Sequence, residues 1–225
     1  MESIRKPFQG IGNIVRFNWH FYLLSIGFVV FIFILNNYIY ETYSIYARLI
    51  CFLIVLTTLV SLIVSYYVYD CSNLYKLTWL DKITPNKIGK IININAGFDE
   101  TSVLLKDKFP SAELIVFDFY DPIKHTEISI KRARKAYPPY PNTQSIITSN
   151  MPLPDSSIDT IFVMFSAHEI RNNQERIIFF RELNRILKHS GHITVTEHLR
   201  DLPNFLAYNN CSGGFTDGIV VHIIF

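Results

Sequence analysis

The chain has 225 residues, a net charge of +2, 18% charged residues and 49% hydrophobic residues. Soluble domains average about 25% charged residues, so this composition excludes both an ordinary soluble globule and a disordered chain. The near-neutral charge gives no basis for nucleic acid as a partner. The three cysteines, Cys51, Cys71 and Cys211, are odd in number and lack C-x-x-C spacing. They therefore predict reduced thiols, with neither a disulfide scaffold nor a metal site.

Two uncharged runs near the N-terminus account for the low content of charged residues. Residues 17–40 and 49–69 contain no Asp, Glu, Lys or Arg. About 20 helical residues cross the roughly 30 Å hydrocarbon core of a bilayer, and aromatic residues cluster at the ends of both runs, as in membrane-interface belts. We predict spans over about 19–40 and 49–69, within an N-terminal membrane hairpin formed by residues 1–75. Two buried helices of a soluble core are the alternative, although such helices usually carry a polar stripe that these runs lack.

Basic residues flank the open end of this predicted hairpin. They are Arg5, Lys6, Arg16, Lys76, Lys82, Lys87 and Lys90, whereas the connector at 41–48 contains only Arg48. Because positive charge stays on the cytoplasmic side, both termini should be cytoplasmic. We therefore expect an integral protein of the cytoplasmic membrane, with the lipid bilayer as a partner and the domain after residue 75 facing the cytoplasm.

After residue 76, short apolar runs alternate with stretches of helical periodicity. The apolar runs are 88–94, 113–117, 144–148, 158–165 and 192–196, and the candidate helices are 99–108, 123–136 and 172–188. This alternation predicts an α/β domain over 76–225, with a doubly wound, mostly parallel sheet that binds ligands at the carboxyl ends of its strands. Residues 201–208 have the pattern of a further helix. Because 209–225 has room for one strand, at 218–225, we expect the C-terminal strands to be incomplete.

Two positions that follow predicted strands suggest a nucleoside site. Gly97 lies in the turn after the first strand, and Asp118 ends the second strand about 20 residues later, where a carboxylate can accept hydrogen bonds from ribose hydroxyls. The chain has no G-x-G-x-x-G and no P-loop, which argues against a dinucleotide or a triphosphate. The alternatives are structural: Asp99 as a helix N-cap in a tight turn, and Asp118 as a cap at the end of its strand.

The segment 151–200 carries several motifs in a distinctive order. They are Met-Pro-Leu-Pro-Asp-Ser-Ser-Ile-Asp (151–159), Ser-Ala-His-Glu (166–169), Arg-Glu-Leu-Asn-Arg-Ile-Leu-Lys (181–188) and Ser190-Gly191. As a set, they make the chain resemble class I S-adenosylmethionine-dependent methyltransferases, in particular the methyltransferase type 11 branch that includes quinone methyltransferases. The resemblance extends over about 88–205. It implies a Rossmann-like fold and S-adenosyl-L-methionine as the cofactor.

This resemblance assigns cofactor-binding roles residue by residue. The matched positions are Asn95 and Gly97 for the methionine end of the cofactor, Asp118 for its ribose, Phe119, Asn150 and Met151 for its adenine, and Phe165 and Ser166 for the wall beside the methyl group. The chain departs from the family pattern in the turn, where Asn93 replaces an acidic residue and Asn95 and Asp99 replace glycines. Asn and Asp tolerate positive φ at about 1 kcal/mol or less, so the turn can still form.

The reacting group of the acceptor must lose a proton if it is a phenol or an enol. His168, after the fourth strand, is the candidate base because the ordinary pKa of histidine, about 6.5, suits the task, and Glu169 is the second candidate. His198, after the fifth strand, also faces this edge. The alternative for His168 is a hydrogen-bonded turn residue.

The predicted anchor suggests a small lipophilic acceptor, such as a quinol, an aromatic compound or a lipid. The competing hypothesis is a catalytically degenerate, methyltransferase-like binding or scaffold protein of a membrane complex. The basic run at 131–135 is either a solvated helix face or a contact for anionic lipid headgroups. The sequence predicts no particular oligomeric state.

Overall fold

The structure, a computed structural model, describes residues 5–38, 40–72, 74–82, 89–197 and 221–224. The chain divides into two compact units. One is helical and contains Arg5–Ser72, and the other contains the described residues from Leu74 onward.

The helical unit is an antiparallel pair of long helices. Helix α1 runs from Gln9 to Leu35 and α2 from Glu41 to Tyr66. The Ser44 hydroxyl donates to Asn36 Oδ1 at 2.6 Å, near the point where the chain reverses. The predicted connector at 41–48 is therefore wrong, because this segment belongs to α2. Its first residue, Glu41, places a negative charge at the positive end of the helix dipole, which favours a helix start there.

At the other end of the helix pair, the carboxylate of Asp70 binds the N-terminus of α1. Asp70 accepts hydrogen bonds from the backbone N–H groups of Gly10 and Ile11, both at 2.8 Å. These N–H groups lie in the first turn of α1 and have no acceptor within the helix, so the carboxylate satisfies them. A Cβ at Gly10 would lie 2.4 Å from the Cβ of Tyr69, so the close approach requires glycine.

Both helices expose their apolar side chains. The most apolar 18-residue windows, in Gln9–Leu35 and Glu41–Asp81, have mean hydropathies of 1.9 and 2.6, and 0% and 6% of their residues are buried. By length and composition, each segment is sufficient to cross a membrane. The alternative of buried core helices would require these side chains to be covered, which the structure does not show.

The second unit is built on a six-stranded sheet in the order β3-β2-β1-β4-β5-β6. The strands are β1 Lys90–Asn95, β2 Glu113–Asp118, β3 Gln144–Ser145, β4 Ile158–Met164, β5 Leu187–Thr196 and β6 Val221–Ile224. The first five strands are parallel, and β6 is antiparallel to β5. This arrangement confirms the predicted doubly wound, mostly parallel α/β fold. Of the strand expected at 218–225, 221–224 is present, while the remaining positions and the helix expected at 201–208 lie outside the described residues.

Alternate residues of the strands pack on opposite faces of the sheet. Ile92 and Ile94 belong to one apolar cluster together with Phe179 and Leu183 of helix α5, which spans Asn173–Ile186. On the other face, Ile91 belongs to a second cluster, with Leu105 of helix α3, which spans Ser102–Lys108. Because the strands are buried on both faces, they contain apolar residues at consecutive positions, which is the pattern that marked them in the sequence.

Helix α5 ends earlier than its sequence suggests. The basic residues before Gly191 predict a helix end near 188, but the helix stops at Ile186 and β5 begins at Leu187. The pairing of β5 with β4 is irregular here, and a Cβ at Gly191 would lie 2.7 Å from Leu187 Cδ1. The glycine therefore permits a bulge in a strand rather than the end of a helix.

Candidate functional site

The carboxyl ends of β1, β2 and β4 meet at one edge of the sheet, as expected for a doubly wound fold. A cavity of about 600 Å³ lies at this edge. Its lining includes Phe119 after β2, Thr148 after β3 and Glu169 after β4. The strand ends thus bring together residues from three loops that are far apart in the sequence.

The turn after β1 is stabilised by its own polar side chains. Asn95 Oδ1 accepts the backbone N–H of Gly97 at 3.1 Å, and Gly97 has a φ of 99°. Asp99 Oδ1 accepts the N–H groups of Thr101 and Ser102 at 3.0 and 2.9 Å. Asp99 thus binds donors at the start of α3, although the N-cap residue of this helix is Thr101, two positions after the predicted one.

Three buried polar atoms in this turn have no hydrogen-bond partner among the described residues. They are Asn93 Oδ1, Asn95 Nδ2 and Asp99 Oδ2. Asn93 is fully buried and Asn95 is 4% exposed. A buried polar atom without a partner costs about 1–3 kcal/mol, and a polar ligand at this turn would remove that cost. The turn therefore fits the amino-acid end of S-adenosylmethionine.

Asp118 lies close to the turn, but its oxygens already have partners. The side chain is almost fully buried, and Oδ1 accepts the N–H of Tyr120 at 2.9 Å. Oδ2 accepts a hydrogen bond from Arg134 Nη1 at 2.5 Å, and the same nitrogen donates to the Gly97 carbonyl at 3.2 Å. Arg134 belongs to helix α4, which spans Ile128–Ala136. The structural alternative for Asp118, a cap at the end of its strand, is thus also present.

Arg134 and Tyr120 fill the space between Gly97 and Asp118. The Arg134 guanidinium carbon lies 4.3 Å from the centroid of the Tyr120 ring. A Cβ at Gly97 would lie 2.7 Å from Tyr120 Cδ2 and 3.0 Å from Arg134 Nη1. Gly97 and Asp118 are thus linked by Arg134, which occupies Asp118 Oδ2, and their assignment to the cofactor stays a prediction.

The residues assigned to adenine are divided between the core and the surface. Phe119 is 5% exposed, and its ring centroid lies 5.8 Å from that of Phe179, although one side of Phe119 lines the cavity. Met151 is buried in the same cluster, and Asn150 is exposed. Neither Met151 nor Asn150 lines the cavity, where Thr148 is found instead. The third strand ends at Ser145, and the loop after it reaches the cavity at residues 146–148, before Asn150 and Met151. The assignment of Asn150 and Met151 to adenine stays a prediction.

The residues assigned to the methyl wall do follow β4. Phe165 has a φ of 52°, which is uncommon for a bulky side chain, and its N–H donates to the Thr196 carbonyl at 2.7 Å. The buried Ser166 hydroxyl donates to the Ile94 carbonyl at 2.9 Å and so joins the end of β4 to β1. Backbone conformations of this kind recur at functional sites, where the surrounding structure holds them in place.

His168 lies between two carboxylates in a short helical turn, Ala167–Glu169. Its Nδ1 is 2.6 Å from Glu197 Oε2, and its Nε2 is 3.4 Å from Glu169 Oε1. Burial by itself would lower the pKa of His168, but the hydrogen bonds and negative charges of Glu169 and Glu197 outweigh it and raise the pKa to about 10. At neutral pH the imidazole is therefore protonated and has no lone pair with which to act as a base.

Glu169 has the opposite electrostatic environment. Burial raises the pKa of its carboxyl, but the hydrogen bond from His168 and the charge of that imidazole outweigh burial and lower it. Glu169 is thus ionised at neutral pH, and it also lines the cavity. The directions of these two pKa shifts favour Glu169 over His168 as a proton acceptor, and the catalytic assignment of both residues stays a prediction.

Sequence reasoning missed several residues at this edge. Glu197 accepts the N–H groups of Ala167 and His168 at 2.7 and 3.3 Å, in addition to binding the imidazole. Its position directly after β5 is the same signal that marked Asp118. The buried His125, whose Nδ1 accepts the Asp121 N–H at 2.9 Å, lines the cavity without any motif around it. His198 lies outside the described residues, among which no group of three or more His, Cys, Asp or Glu could hold a metal ion.

The comparison with protein families found a match to part of the second unit. The family model described as a methyltransferase domain matches residues 104–195, which is less than half of the chain. This segment is therefore similar to a methyltransferase domain. It runs from α3 to β5 and includes Asp118, Arg134 and His168, but it begins after the turn at Gly97. A comparison with curated proteins found no match.

Solved structures resemble part of this chain at low sequence identity. The YcgJ protein of Bacillus subtilis is 20% identical over 60% of this chain and 55% of its own, with a TM-score of 0.40. A protein from Pyrococcus horikoshii is 20% identical over 62% of each chain, with a TM-score of 0.44. A SAM-dependent methyltransferase from Aquifex aeolicus is 17% identical over 59% of this chain and 70% of its own, with a TM-score of 0.40. The chain thus spans roughly half to two thirds of these proteins, and this similarity carries no argument about function.

Proposed function

We propose that the chain is a membrane-anchored S-adenosylmethionine-dependent methyltransferase that acts on a small lipophilic acceptor. The observation that carries the proposal is the placement of Asp118 beside the turn at Gly97, where one nitrogen of Arg134 reaches both residues at 2.5 and 3.2 Å. Asp118 belongs to the segment that matches the methyltransferase domain. The buried unpartnered atoms of Asn93 and Asn95 support a polar ligand at the same turn.

In this proposal, the chain contributes binding and orientation. Asn95 and Gly97 hold the amino-acid end of the cofactor, and Asp118 accepts hydrogen bonds from the ribose hydroxyls. When bound, S-adenosylmethionine supplies an activated methyl group, so the protein mainly needs to align the acceptor and exclude water. Phe165 and Ser166 form the wall at the end of β4.

Glu169 is the proposed proton acceptor when the acceptor is a phenol or an enol. Its carboxylate is ionised because the imidazole of His168 lowers its pKa. His168 is then a hydrogen-bond donor that orients Glu169, held in place by Glu197 at 2.6 Å. This division of roles follows from the protonation states that the cluster favours.

The membrane part of the proposal rests on α1 and α2. Their apolar side chains are exposed, and each segment is long enough to cross a bilayer. The basic residues at the open end of the hairpin support an orientation in the cytoplasmic membrane with the methyltransferase domain in the cytoplasm. An anchor of this kind would give the site access to an acceptor dissolved in the lipid.

Isothermal titration calorimetry of the full chain in detergent micelles tests the cofactor. We expect S-adenosylmethionine to bind and Asp118→Ala to abolish the measurable heat, because the ribose loses its carboxylate. Lys135→Met, which changes an exposed residue of α4, is the matched control and should leave binding unchanged. In cells, lipid extracts should contain a species heavier by one methylene group with the wild type and not with Asp118→Ala. Absence of heat at millimolar cofactor from both the wild type and Arg134→Met would contradict the proposal.

One observation favours the second candidate function, a degenerate methyltransferase domain that acts as a binding or scaffold protein. Both carboxylate oxygens of Asp118 are engaged by groups of the chain itself, Tyr120 N–H and Arg134. If this arrangement is permanent, a ribose must share the carboxylate with both groups, which weakens its binding. Failure of both the wild type and an Arg134 variant to bind cofactor would favour this function.

A further inference from the structure

Arg134 contacts two residues of the proposed cofactor site, Asp118 and Gly97, and the neighbouring Tyr120. Its Nη1 donates to Asp118 Oδ2 at 2.5 Å and to the Gly97 carbonyl at 3.2 Å, and its guanidinium lies over the Tyr120 ring at 4.3 Å. The sequence grouped Arg134 with the basic run at 131–135, as part of a solvated or lipid-facing surface. In the structure Arg134 is exposed, as are Lys131 and Lys135 of the same helix, but its guanidinium reaches the buried carboxylate of Asp118.

The ion pair has the properties of a contact that can open. Asp118 is 6% exposed and cannot move without disturbing the end of β2, but the side chain of Arg134 is 36% exposed. A long side chain at the surface can leave without changing the backbone of α4. The glycine at 97 is what lets Arg134 approach, because a Cβ there would lie 3.0 Å from Nη1.

We propose that Arg134 is an autoinhibitory latch, which in its closed state occupies the carboxylate that the cofactor's ribose must use. This inference rests on the proposed function. Cofactor and Arg134 compete for Asp118 Oδ2, so the cofactor binds only to molecules in which the latch is open. The apparent dissociation constant is then the intrinsic constant divided by the open fraction.

The latch predicts an unusual effect of salt. A partly exposed ion pair weakens as ionic strength rises, because the Debye length falls from roughly 10 Å at 0.1 M to roughly 3 Å at 1 M. More molecules are then open, so the wild type should bind the cofactor more tightly at high salt. S-adenosylhomocysteine is the suitable probe, because it lacks the sulfonium charge that would itself respond to salt.

The experiment measures S-adenosylhomocysteine affinity by calorimetry for the full chain in detergent micelles. Arg134→Met removes the latch and retains an unbranched side chain, and Lys135→Met on the same helix is the matched control. We expect Arg134→Met to bind about tenfold or more tightly, as for a latch closed in about nine molecules of ten. Lys135→Met should bind as the wild type does, and raising salt should tighten the wild type but not Arg134→Met.

Other outcomes overturn the latch. Equal affinity of the wild type and Arg134→Met shows that Arg134 does not compete, and weaker binding by the variant shows that Arg134 is itself a cofactor ligand. In both cases the wild type still binds, so the proposed function survives. Absence of binding to the wild type, Arg134→Met and Arg134→Gln, with circular dichroism showing folded protein, rejects the proposed function and the latch together.

Discussion

Two sides of the same sheet edge are held together by different forces. The β2 side, formed by Gly97, Asp118, Phe119, Tyr120 and Arg134, depends on close packing and one ion pair. The β4 side, formed by Phe165, Ser166, His168, Glu169 and Glu197, depends on an imidazole held between two carboxylates. One edge of the sheet therefore contains two adjacent regions. Side-chain packing mainly stabilises the first, and the protonation state of His168 determines the interactions in the second.

The largest effect should come from truncating the packed side. Phe119→Ala removes a ring that is 5% exposed and packs against Phe179, so we expect a loss of about 3 kcal/mol or more in the free energy of unfolding. Urea unfolding of the full chain, followed by circular dichroism, measures this loss. Tyr120→Ala, at a half-buried position, should cost less. Equal losses would show that the contact of Phe119 with Phe179 contributes no more to stability than the half-buried ring of Tyr120.

A smaller effect should follow from weakening the charged side. Glu197→Gln removes the carboxylate at 2.6 Å from His168, so the pKa of His168 should fall from about 10 by about one unit or more. NMR titration of the histidine ring measures this pKa. Glu182→Gln, which alters a carboxylate paired with Arg185, should leave it unchanged.

The same cluster predicts how stability depends on pH. The pKa of His168 is about 10 in the folded chain and about 6.5 when unfolded, so the folded state binds the proton more tightly. Its contribution is complete below about pH 6.5 and is lost as pH rises toward 10. Between about pH 6.5 and 10, the free energy of unfolding should fall less steeply with pH in Glu197→Gln than in the wild type. The same dependence on pH in both proteins would show that Glu197 does not raise the pKa of His168.

The smallest effect concerns the turn itself. Gly97→Ala places a Cβ at a φ of 99°, 2.7 Å from Tyr120 Cδ2, and should cost about 1–2 kcal/mol in the free energy of unfolding. Urea unfolding measures this cost, and Gly97→Ala combined with Tyr120→Ala should cost less than the sum of the two single changes. If the loss in the free energy of unfolding of the double variant equals the sum of the two single losses, the Cβ at position 97 and the Tyr120 ring do not clash.

Most of the sheet could be predicted from sequence, because buried parallel strands are apolar at consecutive positions. The exceptions are instructive. The run at 144–148 predicts a five-residue strand, but only Gln144–Ser145 pairs, since β3 is an edge strand with a single neighbour, β2. The basic residues before Gly191 predict a helix end, but pairing of Leu187 with Ile158 of β4 draws that segment into the sheet.

The candidate site was predictable only in part. Asp118 and Gly97 could be found because strand ends of a parallel sheet meet at one edge, and the structure makes them neighbours. The role of Arg134 could not be found, because a basic residue in a charged helix gives no sign of the carboxylate it will face. Asn150 and Met151 were assigned to adenine from the family resemblance. They lie in the loop after β3, and the path of this loop depends on where β3 ends.

The sequence by itself determined the two long apolar helices, the order of strands and helices after them, and the polar residues at the strand ends. These features follow from local periodicity and from the geometry of parallel sheets. Only the tertiary structure decided that Asp118 faces a guanidinium 16 residues away and that His168 is held by a carboxylate 29 residues away. Charge pairing acts through space, so the protonation of His168 and the accessibility of Asp118 depend on contacts that no local pattern records.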